Sequence, residues 1–134
     1  MSWDIYVQDI PDDVMSVEDM PDGFLPRPLG RRSDVLAGIR RAAPDIRFAD
    51  DQWGSIEGPG YSVEVNIGSR DPIQSVALHV YGGDQSVYLV HDILAALNAR
   101  AFDPSNPSGI FSLPESADGF RRWREYRATV LESK

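Results

Sequence analysis

Tyr61-Ser62-Val63-Glu64-Val65-Asn66-Ile67, then Gly68 to Pro72, then Gln74-Ser75-Val76-Ala77-Leu78-His79-Val80-Tyr81 is the stretch on which the fold turns. Tyr61, Val63, Val65 and Ile67 alternate with Ser62, Glu64 and Asn66. Val76, Leu78 and Val80 alternate in the same way with Ser75, Ala77, His79 and Tyr81. A period of two is the pattern of a half-buried strand. The five-residue connection over 68–72 contains Gly and predicts a hairpin. With the apolar sets on one face, the other face is polar on both strands.

Working outward, Trp3, Ile5 and Val7 alternate with Asp4, Tyr6 and Gln8, which predicts another half-buried strand. Ser33 has the character of a helix N-cap, with Asp34 at the positive end of the dipole. Val35, Leu36, Ile39 and Ala43 share one helical face, and Pro44 ends that helix. Ile46-Arg47-Phe48 is a short extended segment, followed by the turn-rich Asp50-Asp51, a Trp53-Gly54 step and the turn Gly58-Pro59-Gly60. After Gly82-Gly83, with Asp84 or Ser86 as cap, Val87, Val90, Ile93, Leu94 and Leu97 form the stripe of an amphipathic helix. Ala101-Phe102 and Ile110-Phe111 flank a turn-forming stretch and suit short edge strands or a small hairpin. Ser116 begins a last helix with Phe120, Trp123, Tyr126 and Val130 inward. The expected class is α+β. The order fits a ferredoxin-like split βαβ arrangement: a mainly antiparallel sheet, helices on one face, and a C-terminal helix.

The chain has 134 residues, one domain's length and enough to bury a core. Hydrophobic residues at 42% and charged residues at 25% are those of an ordinary globular domain. The absence of cysteine excludes disulfides, zinc–thiolate sites and thiol catalysis. Met1-Ser2-Trp3-Asp4 lacks the basic-then-apolar pattern of a secretory signal. The apolar runs fall far short of the roughly 20 residues that span a bilayer. A cytoplasmic location is the expectation. A net charge of −8 repels nucleic-acid phosphates and anionic lipid, so neither is a favoured partner.

The charge lies in blocks. Residues 1–26 carry seven acids and no base; residues 27–47 carry six Arg against Asp34 and Asp45. Residues 50–98 carry seven acids against Arg70 alone, and the last 20 residues are slightly basic. Opposite blocks either face each other or are solvated, or else one acidic block is left open for a basic partner. Residues 11–32, with Pro11, Pro21, Pro26 and Pro28, form a long acidic, proline-rich loop without periodicity. Phe24, Leu25 and Leu29 are expected to pin its second half to the body. Asp12, Asp13, Glu18, Asp19 and Asp22 are the candidate contact patch for a basic protein, and the chain then acts as a non-enzymatic binding domain.

The polar sheet face is the second candidate. It brings His79 near the carboxylates of Asp4 and Glu64 and the hydroxyls of Tyr6 and Tyr81, a set able to do acid–base work in a small enzyme or to hold a ligand. The same face suits a solvated surface or a homodimer contact. His79 and His91 have no metal-ligand spacing, and the acids of 9–22 lack the alternating oxygens of a calcium loop, so no metal or cofactor is expected. His91 sits at the edge of its helix's apolar stripe, where boundary packing is the simple role. No nucleophile elbow, Walker sequence or dinucleotide-binding glycine motif is present.

Trp53-Gly54, Tyr61 to Gly68, His79-Val80-Tyr81-Gly82-Gly83, Ala101-Phe102-Asp103 and Ile110-Phe111 together resemble a set of small bacterial α+β proteins, some of them similar to toxin-immunity proteins. The resemblance covers most of the chain from about residue 30. It implies an immunity-type inhibitor of a basic partner protein and carries over no catalytic residue. The turn after Asp103 is longer here than in that set.

Overall fold

The computed structural model describes residues 2–113. Six strands form one antiparallel sheet: β1 (Trp3–Gln8), β2 (Arg47–Phe48), β3 (Trp53–Gly58), β4 (Tyr61–Asn66), β5 (Val76–Gly82) and β6 (Arg100–Phe102). Two helices, α1 (Arg32–Ala42) and α2 (Ser86–Leu97), pack together, and their buried side chains join the core of the sheet. The strand order is β2-β3-β4-β5-β1-β6. The chain thus builds β2 to β5 as a meander, and β1 lies between β5 and β6. The expected C-terminal helix from Ser116 lies outside the described residues.

Alternation decides which side of each strand is buried. Val63 faces Val80 and Val65 faces Leu78 across β4 and β5, and Ile5 faces Leu78 across β1 and β5. All five side chains are fully buried. β-Branched residues opposite one another fill the pleat with few lost rotamers, and each such side chain contributes roughly 1.5–3 kcal/mol of burial. Val35 and Ile39 from α1, and Val87, Val90 and Ile93 from α2, close the same core.

Four local expectations need correction. The hairpin connection is longer than 68–72, because β5 begins at Val76 and Ile73 is drawn away to form a bridge with Gly30. Ser33 is not the cap of α1: the helix starts at Arg32, and the Asp71 carboxylate accepts the Arg32 backbone N–H at 3.0 Å. The orphan donor is met from 39 residues away rather than locally. On α2 the flanking residue is Gln85, which makes no side-chain cap bond, while the Ser86 hydroxyl donates to the Gly83 carbonyl at 2.7 Å.

The fourth correction is β3, where the sequence suggests only turns. Glycines occupy two of its positions because neighbouring rings need the space. A Cβ on Gly58 would stand 2.1 Å from Tyr61 Cζ, and one on Gly54 would stand 2.9 Å from the Phe48 ring. Tyr61 and Phe48 therefore cover the backbone of β3 on either side of its buried Ile56 and supply apolar contact where the glycines have none.

The turn after β6 is held by a buried acid. Asp103 is fully buried, and its Oδ1 accepts from Trp3 Nε1 at 2.9 Å, Ser105 Oγ at 2.6 Å and Ser105 N at 3.0 Å. Several donors on one carboxylate offset its desolvation. Asp103→Ala is expected to lower stability by about 2 kcal/mol, read as a lower urea midpoint. An unchanged midpoint would show that these bonds contribute nothing net.

Candidate functional site

Two surfaces carry the residues singled out above. The first is the acidic loop, which the body holds by two anchors. Ile10 and Val14 are buried with Ile110 in a small separate cluster that Met20 and Phe102 adjoin. Hydrogen bonds to backbone carbonyls reinforce it: Val17 N–H donates to the Ser108 carbonyl at 2.8 Å, and the Arg100 guanidinium donates to the Pro11 carbonyl at 2.5 Å. The second limb is tied through Leu29 N–H to the Ile73 carbonyl and Ile73 N–H to the Gly30 carbonyl, with the Gln74 amide donating to Pro26 O at 3.3 Å. Leu29 packs on the core and Phe24 is half-buried, but Leu25 does not pin the loop: it is 85% exposed.

Between the anchors the loop presents its charges outward. Ser16 caps a short 3₁₀ turn, Val17–Asp19, by accepting the Glu18 N–H. Asp12, Asp13, Glu18, Asp19 and Asp22 are all exposed. Among the described residues none of the five has an ion-pair partner. Met15, 71% exposed, and Leu25 stand among them. A groove of about 460 Å³ opens between the two limbs, lined by Asp9, Asp12 and Arg27 together with Phe24 and Leu25.

The basic block does not neutralise this surface. Among the described residues no Arg pairs with a carboxylate side chain. The Arg32 guanidinium instead donates to the backbone carbonyls of Gly68, Arg70 and Asp51, and Arg41 donates to the Ala96 carbonyl. Arg40 lies over the Phe48 ring at 5.7 Å. These guanidiniums join α1 to neighbouring loops, to α2 and to β2.

The second surface is the face of the sheet opposite the core. Register places Ser55, Glu64, His79 and Asp4 in one row across β3, β4, β5 and β1, with Arg47 of β2 at its end. Trp53, Asn66, Ala77, Tyr6 and Phe102 form the adjoining row. His79 Nδ1 lies 2.7 Å from Asp4 Oδ1, and the Ser2 hydroxyl donates to the same oxygen at 2.5 Å. The Asp4 carboxylate accepts the imidazole N–H when Nδ1 carries the proton, which fixes the ring's orientation. Trp53 stacks on His79 with ring centroids 5.9 Å apart. Tyr81 faces Ser62 on this side, and Tyr6 is 39% exposed. Among the described residues no hydrogen bond joins either tyrosine hydroxyl to His79.

The sequence reading brings Asp4, His79 and Glu64 to one row but misses Trp53. The available signal is the alternation of Trp53, Ser55 and Glu57 with Gly54, Ile56 and Gly58, which has an inward set too small to register as apolar. His91 is exposed and sits 3.5 Å from the Asp92 carboxylate, outside both surfaces. Among the described residues no group of three His, Asp or Glu side chains is placed to hold a metal ion, and no helix is long and apolar enough to cross a membrane.

Comparison with protein-family models, with curated proteins and with solved structures finds no match for this chain.

Proposed function

We propose that this chain is a non-enzymatic binding domain that captures a basic protein through the acidic loop, in the manner of an immunity-type inhibitor. The observation that carries the reading is the set of five exposed carboxylates with no ion-pair partner among the described residues, held on a loop anchored at both ends and interspersed with exposed Met15 and Leu25. Unpaired surface acids steer a basic partner and set its orientation; apolar side chains beside them supply the area that holds it. The anchoring limits the ordering cost that a slack loop would add on binding. The strand order β6-β1-β5-β4 supports a ferredoxin-like split βαβ reading of the scaffold, widened by β3 and β2. On that reading the loop is the long β1–α1 connection. A cytoplasmic location fits a domain that meets its partner inside the cell.

The test is capture from an extract of the host. Wild-type protein should retain a protein of pI above about 9 that a variant neutralised at Asp12, Asp13, Glu18, Asp19 and Asp22 does not. Retention of an acidic protein alone, or of the same protein by both baits, would refute the reading.

A homodimer through the open sheet face is the competing arrangement. Sedimentation is expected to give the monomer mass of 14.9 kDa, because Asp4, Glu57 and Glu64 on that face would meet their own copies. A mass near twice that value, lost on Glu64→Arg, would establish the dimer instead.

A further inference from the structure

We infer that the open sheet face holds a binding site for an arginine side chain of a protein partner, in the cleft between Trp53 and Glu64. The cleft has a volume of about 320 Å³ and is lined by Ala49, Trp53, Gly54, Ser55 and Glu64. It stands on its own observations and does not require the acidic loop to be the docking surface.

Three features fit a guanidinium. Trp53 presents a large, 38% exposed indole as one wall. Planar cations stack on an indole face and are attracted by its quadrupole. The Glu64 carboxylate lies on the same face, is exposed, and has no ion-pair partner among the described residues. A guanidinium donates to such a carboxylate in a planar, two-bond fork. Ser55, directly opposite Glu64, adds a hydroxyl that can accept from the same group.

The surroundings select charge and shape. Arg47, opposite Ser55 on β2, lines the adjoining groove with Asp45 and Glu57 rather than the Trp53 cleft. An anionic guest would meet Glu64 with no cation in the lining. An ammonium group matches the charge but cannot stack as a plane. Asp4 and His79 act as positioning residues: Asp4 holds the imidazole at 2.7 Å, and the imidazole backs the indole. The cleft is open along the sheet face rather than enclosed, so the occupant is an arginine displayed on a protein surface.

The probe is N-acetyl-arginine-methylamide, titrated while the Trp53 indole N–H and the Ser55 and Glu64 amides are followed by NMR. Saturable shifts at these three groups are expected, with a Kd of about 1–10 mM, as befits a single side chain. The lysine analogue should bind at least threefold more weakly, and the neutral citrulline analogue should produce no saturable shift. Glu64→Gln should weaken binding about tenfold while leaving the spectrum of the core unchanged. Trp53→Phe, a milder change than Trp53→Ala, should weaken it at least threefold. Neutralising the five acids of the loop should leave the titration as it is, which separates this site from the proposed function. A citrulline response equal to that of arginine, indifference to Glu64→Gln, or shifts confined to the loop would overturn the inference. If an arginine-containing pentapeptide binds no better than the free amino acid, the source is a small guanidinium compound and not a protein.

Discussion

Leu78→Ala is expected to destabilise the protein by about 3 kcal/mol and to lower its melting temperature by about 10 °C. Leu78 has no exposed surface and sits at the centre of the sheet, opposite Ile5 on β1 and Val65 on β4. Truncation removes three carbons from a site whose neighbours are locked in strand ladders on both sides. The hole cannot collapse, so a cavity cost adds to the lost transfer energy. Glu64→Ala is the control on the same ladder. Its side chain is exposed and pairs with no described residue, and its loss should change stability by less than about 0.5 kcal/mol. Urea melts of the two variants should separate in midpoint while keeping a common slope. Equal effects would mean that the two sides of the sheet are not the buried and open sides described here.

Neutralising Asp12, Asp13, Glu18, Asp19 and Asp22 to Asn or Gln should slow association with the basic partner proposed above by about 10- to 100-fold at low salt. It should also flatten the dependence of the rate on ionic strength. The folded state should hardly notice, since all five side chains are exposed and none pairs with a described residue. A matched control neutralises Asp34, Asp45, Asp51, Glu57 and Asp92, which are equally exposed and lie off the loop. Both variants lose five negative charges, so net charge alone predicts the same slowing in each. A local docking surface predicts that the loop variant is at least fivefold slower than the control. Equal rates would leave only a diffuse acidic field and remove the loop from the interface.

Legibility in the sequence followed the locality of each interaction. The hairpin strands and β1 were readable because alternation is imposed by the pleat itself and needs no partner. The stripes of α1 and α2 were readable for the same reason. The cap of α1 was not, because its acceptor is Asp71, brought alongside by the connection before β5. β3 was hidden because Gly54 and Gly58 lend their places to Phe48 and Tyr61, so the apolar contact is written on other strands. In the acidic loop, Ile10 and Val14 meet Ile110, a hundred residues further along, while Leu25 in the same loop is left in solvent. No periodicity separates these cases, because the loop has no repeating geometry to impose one. The candidate site divides in the same way. The row Asp4, His79 and Glu64 follows from strand parity once β1 lies beside β5. Trp53 depends on a strand the sequence conceals.

Docking of a basic protein on the loop between β1 and α1, as proposed, is open to a photo-cross-link. A photoreactive phenylalanine placed at Met15 or Leu25, both largely solvent-facing, should form a covalent adduct with one basic protein in host extract. The same residue at Tyr88, 55% exposed on α2, should form none. Adducts from position 88 with silence at positions 15 and 25 would contradict the account.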